Sequence, residues 1–266
     1  MLYTSKYPHW LKRILLVSLV LNLIFIFFFG YAIHRRGGSS YLLKRTKSIF
    51  TKSTNSVPSF SLTPSPLMQS PVYQHKKNHF ELLPDTDREI IFLGDSITAW
   101  CQWSELFQNL RIKNRGIGGD RTDGILFRLD EVLSSSPDKI FIMIGINDLA
   151  YGADFQNVFQ NYKIIIQRIL EKSPGTKIYI QSLLPVNKQL LAKYYPTSKI
   201  TGGNIRKLNN SLEDLSSKFQ LNYIDLYSLF KKDEDQLDER FTYDGLHLNG
   251  NGYLIWKSAI EKYVLF

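Results

Sequence analysis

Three continuous apolar runs, Ile90–Leu93, Ile140–Ile144 and Ile178–Ile180, restrict what this chain can fold into. A strand with one wet face alternates apolar and polar residues. A strand apolar at every position is buried on both faces, as in parallel sheets covered by helices. A further strand is expected around Tyr223–Leu226, and a weak edge strand at Arg111–Asn114. Between the runs lie apolar stripes at helical spacing. Ile125, Leu126, Leu129, Val132 and Leu133 share one face; Phe155, Val158, Phe159, Tyr162, Ile165, Ile166 and Ile169 share another. Ile205, Leu208, Leu212, Leu215 and Phe219 keep the same rhythm, and residues 254–264 form a closing helix. This alternation predicts an α/β domain: a three-layer α/β/α sandwich around a five-stranded parallel sheet with right-handed crossovers. The stripes read as core.

Sites in such sheets form beyond the carboxyl ends of the strands, and several strand ends here carry unusual groups. The first strand runs into Gly94-Asp95-Ser96. After the weak second strand comes "NRGIGGDRTDG", residues 114–124; the third strand ends in "GIND", Gly145 to Asp148; past the last strand comes "DGLHLNGNGY", Asp244 to Tyr253. Taken singly, each has a plain reading. Gly, Asp and Ser are turn formers, and Asn-Asp after a strand is a common helix cap. Histidine usage sharpens the last segment. His9, His34, His75 and His79 precede residue 81, which leaves His247 alone in the folded part. A histidine-based zinc site needs several convergent ligands. A serine–histidine mechanism needs one histidine held by a carboxylate. Asp244, three residues earlier, reaches the far ring nitrogen if the segment turns.

Gly-Asp-Ser, Gly, Asn and Asp-x-x-His in this order resemble the SGNH (GDSL-type) hydrolases, in particular the platelet-activating-factor acetylhydrolase catalytic-subunit branch. "FLGDSIT", "NRGIGGDRTDGILFRL", "GIND" and "DGLHLNGNGY" carry the likeness, which spans essentially residues 89–263. It implies a flavodoxin-like layout and a serine esterase with no cofactor and no metal. Ser96 would be the nucleophile, His247 its general base and Asp244 the carboxylate that orients His247. The backbone N–H groups of Ser96 and Gly119 and the side-chain amide of Asn147 would form the oxyanion hole. The choice of Gly119 over Gly116 or Gly118 comes from the family pattern alone. Asp95 and Asp148 read as structural, and Ile97 and Trp100 as packing beneath the helix that Ser96 opens. Residues 186–203 follow the fourth strand on the same rim. Tyr194 and Tyr195 are candidates there for lining an acyl or sugar site, and a solvent-facing insertion is the other reading.

The resemblance implies a small ester substrate, such as an O-acetyl group on a carbohydrate or lipid. Lysophospholipid or thioester hydrolysis, and O-acyl transfer to an envelope sugar, are the nearest alternatives. A non-catalytic scaffold that kept the fold is a rival of another class, as is an electrostatic tether whose basic tail is the function.

Charge and hydropathy describe what precedes the domain. The chain of 266 residues has net charge +9, but residues 1–80 hold 11 of the 33 Lys+Arg and none of the 24 Asp+Glu. The remainder is near neutral, which argues against a nucleic-acid-binding body. Residues 14–33, "ILLVSLVLNLIFIFFFGYAI", form an apolar run that as a helix spans about 30 Å, the thickness of a hydrocarbon core. Lys12, Arg13, Arg35 and Arg36 flank it, with Trp10 and Tyr31 near its ends. Residues 1–36 are therefore expected to be a single-pass membrane anchor, with a cleaved signal peptide as the alternative because Gly30-Tyr31-Ala32 offers small residues for cleavage. The basic residues after the span would by themselves keep the domain cytoplasmic; the substrate class that the resemblance implies favours the exported side. Residues 37–80, rich in Ser, Thr, Pro, Lys and Asn, read as a disordered linker, and 81–266 as the esterase domain. The single cysteine, Cys101, allows no internal disulfide and reads as a small buried apolar side chain.

Overall fold

The computed structural model describes residues 66–265 and, before them, Ser18 alone. The expected membrane span and the linker as far as residue 65 otherwise lie outside the described residues. Among the described residues no helix is long and apolar enough to cross a membrane.

Five parallel strands form one sheet: β1 (Ile90–Gly94), β2 (Ile112–Gly116), β3 (Lys139–Met143), β4 (Lys177–Gln181) and β5 (Asn222–Ile224), in the order β2-β1-β3-β4-β5. Strands β1 and β3 are buried at every position, as their unbroken apolar runs require. The expected edge strand is β2, and it does lie at an edge. β5 is shorter than Tyr223–Leu226, because the chain turns after Ile224 and the Leu226 N–H bonds to the Ser182 hydroxyl at 2.9 Å.

The period of two in the strands sorts aromatic from aliphatic side chains. Phe92, Phe141 and Tyr179 are register neighbours on one face and stack with ring centroids 5.0 and 4.5 Å apart. Trp103 stacks on Phe92 at 4.3 Å, and Trp256 of the closing helix (Gly250–Leu265) meets Trp103 edge-on at 4.8 Å. Ile91, Leu93, Ile140, Ile142, Ile178 and Ile180 point to the other face by the same alternation. The helices that cover that face, Thr122–Ser134, Phe155–Lys172 and Gly202–Phe219, pack against one another in sequence. The three-layer sandwich is therefore as expected, and the register aligns the carboxyl ends of β1, β2 and β3 along one rim.

The linker ends earlier than expected. Pro71–Leu82 forms a helix, α1, capped by the Ser70 side chain, with Tyr73 and Phe80 buried. These two and Met68 form a second apolar cluster with Ile117, and the Tyr73 hydroxyl donates to the Gly124 carbonyl at 3.1 Å. Among the described residues, 66–265 belong to one folded unit.

Candidate active site

Strand β1 ends at Gly94, and the Asp95 side chain caps the short helix α2 (Ser96–Ala99) by accepting the Ile97 N–H at 2.9 Å. Ser96 is thus the first residue of a helix, where no helix carbonyl can reach its N–H. Its hydroxyl lies 2.8 Å from Nε2 of His247. The other ring nitrogen, Nδ1, lies 2.6 Å from Oδ2 of Asp244. The three-residue separation of Asp244 and His247 suffices because the segment turns tightly. Oδ1 of Asp244 accepts the N–H groups of Leu246 and His247 at 2.9 and 2.8 Å, and the Thr242 hydroxyl accepts the Gly245 N–H at 2.9 Å. Burial pushes the Asp244 carboxyl up, but the hydrogen bonds from the His247 ring and from the two backbone N–H groups outweigh it and hold the carboxyl near 2. Asp244 is therefore an anion at neutral pH. An anionic Asp244 can only accept, so Nδ1 is the donor to it, and in the neutral ring that leaves Nε2 to accept the proton of the Ser96 hydroxyl.

Gly119 and Asn147 line the same cavity as Ser96 and His247. Gly119 has φ +77°, a conformation that a residue with Cβ adopts only under strain. The following residue, Asp120, is wholly buried and pairs with Arg128 at 2.9 Å, while Arg128 also donates to the Gly94 and Arg115 carbonyls. Burial pushes the Asp120 carboxyl up to about 6 although Arg128 opposes it. Asn147 donates to the Asp120 carbonyl at 2.9 Å, which orients its amide and leaves the second N–H of that nitrogen over. Asp148 accepts the Thr122 N–H and hydroxyl at 3.0 and 2.7 Å. Asp95 and Asp148 thus both bind backbone, in keeping with the structural role expected of them.

A cavity of about 350 Å³ opens over these groups. Besides Ser96, Gly119, Asn147 and His247 it is walled by Trp100, Tyr151, Leu191, Tyr195, Ile200 and Leu246. Trp100 does not pack beneath the helix. It is 57% exposed, and its ring stacks on the His247 imidazole with centroids 3.9 Å apart. The spacing carried a signal for this: Trp100 is four residues after Ser96, so a helical turn puts both on one face. The segment 186–203 is not a mere insertion, since it supplies the helix Lys188–Tyr194 and part of the cavity wall. Its two tyrosines part company. Tyr195 lines the cavity and donates to Asp244 Oδ2 at 3.0 Å, whereas Tyr194 is half exposed and does not line the cavity. Cys101 is buried, and burial pushes its thiol up to about 12. Among the described residues no group of three or more His, Cys, Asp or Glu is placed to hold a metal ion.

Known proteins resemble this chain across the region that builds the site. The GDSL-like Lipase/Acylhydrolase family matches residues 92–255. Platelet-activating factor acetylhydrolase IB subunit alpha1 of Homo sapiens is 27% identical over 192 residues, covering 68% of this chain and 77% of that protein. The alpha2 subunit of Rattus norvegicus is 29% identical over 188 residues, covering 68% and 78%. A solved structure from Streptococcus pneumoniae, provisionally described as a platelet activating factor, aligns with TM-score 0.65 and 30% identity over 72% of this chain and 90% of that one.

Proposed function

The chain belongs to the GDSL-like lipase/acylhydrolase family and is a carboxylic ester hydrolase; from that premise we propose that it is a serine esterase acting on short-acyl esters, O-acetyl groups above all. The observation that carries this reading is the relay from Ser96 Oγ to His247 Nε2 and from His247 Nδ1 to Asp244. Ser96 Oγ attacks the ester carbonyl carbon while its proton passes to His247 Nε2. The carbonyl oxygen becomes an oxyanion facing the N–H groups of Ser96 and Gly119 and the Asn147 amide. Each such donor is worth about 3–4 kcal/mol in the transition state. Collapse breaks the bond to the alcohol, which leaves with the proton from His247. A water then attacks the acyl-serine, gives its proton to His247, and the acid departs as Ser96 takes that proton back.

The cavity supports a small neutral substrate. No described residue lining it is an Asp, Glu, Lys or Arg, so no cationic side chain there selects a phosphate. The exposed faces of Trp100 and Tyr151 suit a sugar ring, and the acetylhydrolase relatives are consistent with an acetyl ester. The apolar wall of Leu191, Ile200 and Leu246 favours a second reading, a longer acyl chain as in a lysophospholipid. Rates on an acyl-chain series of model esters separate the two. The catalytic reading is tested by labelling the full-length protein with a fluorophosphonate. Wild type is expected to label and Ser96→Ala to be blank; an unlabelled wild type, or equal labelling of both, sinks it. We also propose that residues 14–33 anchor the enzyme to a membrane, the apolar length of that run being the support.

A further inference from the structure

We propose that Tyr195 is a positioning residue that sets both the geometry and the basicity of the Asp244–His247 pair, an inference that rests on reading Ser96, His247 and Asp244 as the triad. Its helix is seated directly on the turn that carries the pair. The Asn187 N–H donates to the Gly245 carbonyl at 2.9 Å. Gly245 has φ +83°, and a Cβ there would lie 2.6 Å from the Asn187 carbonyl oxygen and 2.8 Å from the Leu191 nitrogen. The two backbones therefore touch without a side chain between them. The Tyr195 N–H donates to the Leu191 carbonyl at 2.7 Å and closes that helix. The Tyr195 ring is held where its hydroxyl lies 3.0 Å from Asp244 Oδ2 and 3.4 Å from His247 Nδ1.

Oδ2 is consequently shared by two donors, the ring N–H of His247 and the Tyr195 hydroxyl. The second donor locks the carboxylate against rotation. It also draws charge from the oxygen that must stabilise the imidazolium, so the ring gains less basicity from Asp244 than it would from an unshared carboxylate. Burial, and then Asp244, push the Tyr195 phenol up to about 12, so it remains a proton donor at working pH. The other titratable groups around the pair do not compete for this oxygen. Ser96 faces Nε2; Asp95, pushed up to about 7 by burial, accepts the Ile97 N–H at 2.9 Å; the Tyr253 hydroxyl is committed to the Ile97 carbonyl at 2.8 Å. Trp100 covers the ring face without a charge.

The test compares the pH dependence of acetyl-ester hydrolysis by the full-length wild type, Tyr195→Phe and Ser96→Ala. With Tyr195→Phe, kcat is expected to fall about tenfold, the scale of one lost hydrogen bond, with KM within about twofold. The acid limb of kcat/KM moves to higher pH by about half a unit, because an unshared Asp244 makes the ring more basic. Wild-type kcat with an unmoved limb overturns the proposal. So does a fall in kcat with an unmoved limb, which marks a merely structural side chain, or a change in KM alone, which marks a substrate contact. If Tyr195→Phe does not fold, Tyr195→Leu, which also lacks the donor, must show the same limb shift. Full activity in Ser96→Ala defeats the triad reading itself, whereas an inactive Ser96→Ala beside an unaltered Tyr195→Phe defeats this proposal alone.

Discussion

Asp95 and Ser96 are neighbours on one corner, and their surroundings separate their roles. Ser96 faces the cavity beside a histidine. Asp95 is shut away from water, with one oxygen on the Ile97 N–H and the other without a partner. Burial raises the Asp95 carboxyl to about 7, with Asp120 and Asp148 adding to the rise. The folded protein therefore keeps a proton that the unfolded chain loses near an ordinary aspartate value. The consequence for stability is that Asp95 costs nothing below about pH 4, where both states hold the proton. Its penalty grows as pH rises from about 4 to 7 and is constant above that. Asp95→Asn keeps the capping oxygen and removes the titration. Melting curves at pH 4 and pH 8 are expected to show the variant gaining on wild type at the higher pH; an equal gap at both would refute the assignment. Trp100 teaches a different lesson at this scale. Its apolar bulk suggested a core position, yet its face is used to cover the His247 ring.

Among the elements, α1 departs most from what composition suggested. The stretch 37–80 is polar on average, and an average hides three apolar side chains that fit one patch. Met68, Tyr73 and Phe80 cover Ile117, and the Arg115 guanidinium lies 5.0 Å from the centre of the Phe80 ring. Ile117 opens the loop that carries Gly119, and Leu67 lies within van der Waals reach of the space a Gly119 Cβ would occupy. The turn before α1 thus reaches the space beside Gly119, and the helix itself packs on Ile117 at the start of that loop. Phe80→Ala is expected to cost about 3 kcal/mol and lower Tm, as for other buried aromatics. Val72→Ala, on the exposed face at 73%, should stay within about 0.5 kcal/mol. Denaturant unfolding of the two variants checks the contrast; equal stabilities would mean that α1 does not pack on the domain in solution. The segment 186–203 was equally open in sequence, since its Tyr-Tyr pair alone says nothing of which ring turns inward.

For the whole molecule, the uneven charge carries the argument. The bases of the first 80 residues have no acids among them, while the domain is close to neutral, so the net charge of +9 describes the tail and not the catalytic body. Removing residues 1–36 is expected to move the protein from the membrane to the soluble fraction and to leave hydrolysis of a soluble acetyl ester unchanged. A shortened chain that still sediments with membranes would refute the anchor. The sheet, its strand count and the helices over it were legible because burial on both faces and helical stripes are local patterns that each segment carries by itself. Ser96, Gly119, Asn147, Asp244 and His247 were named through resemblance to a family whose motifs keep this order, and the choice of Gly119 rests on that likeness alone. The neighbours of those residues could not be named. That Trp100 stacks on His247, that Tyr195 rather than Tyr194 reaches Asp244, and that a basic polar stretch folds against Ile117 depend on contacts between segments tens to more than a hundred residues apart. Such contacts arise from packing and backbone approach, as at Gly245, and leave no periodicity for a linear reading to detect.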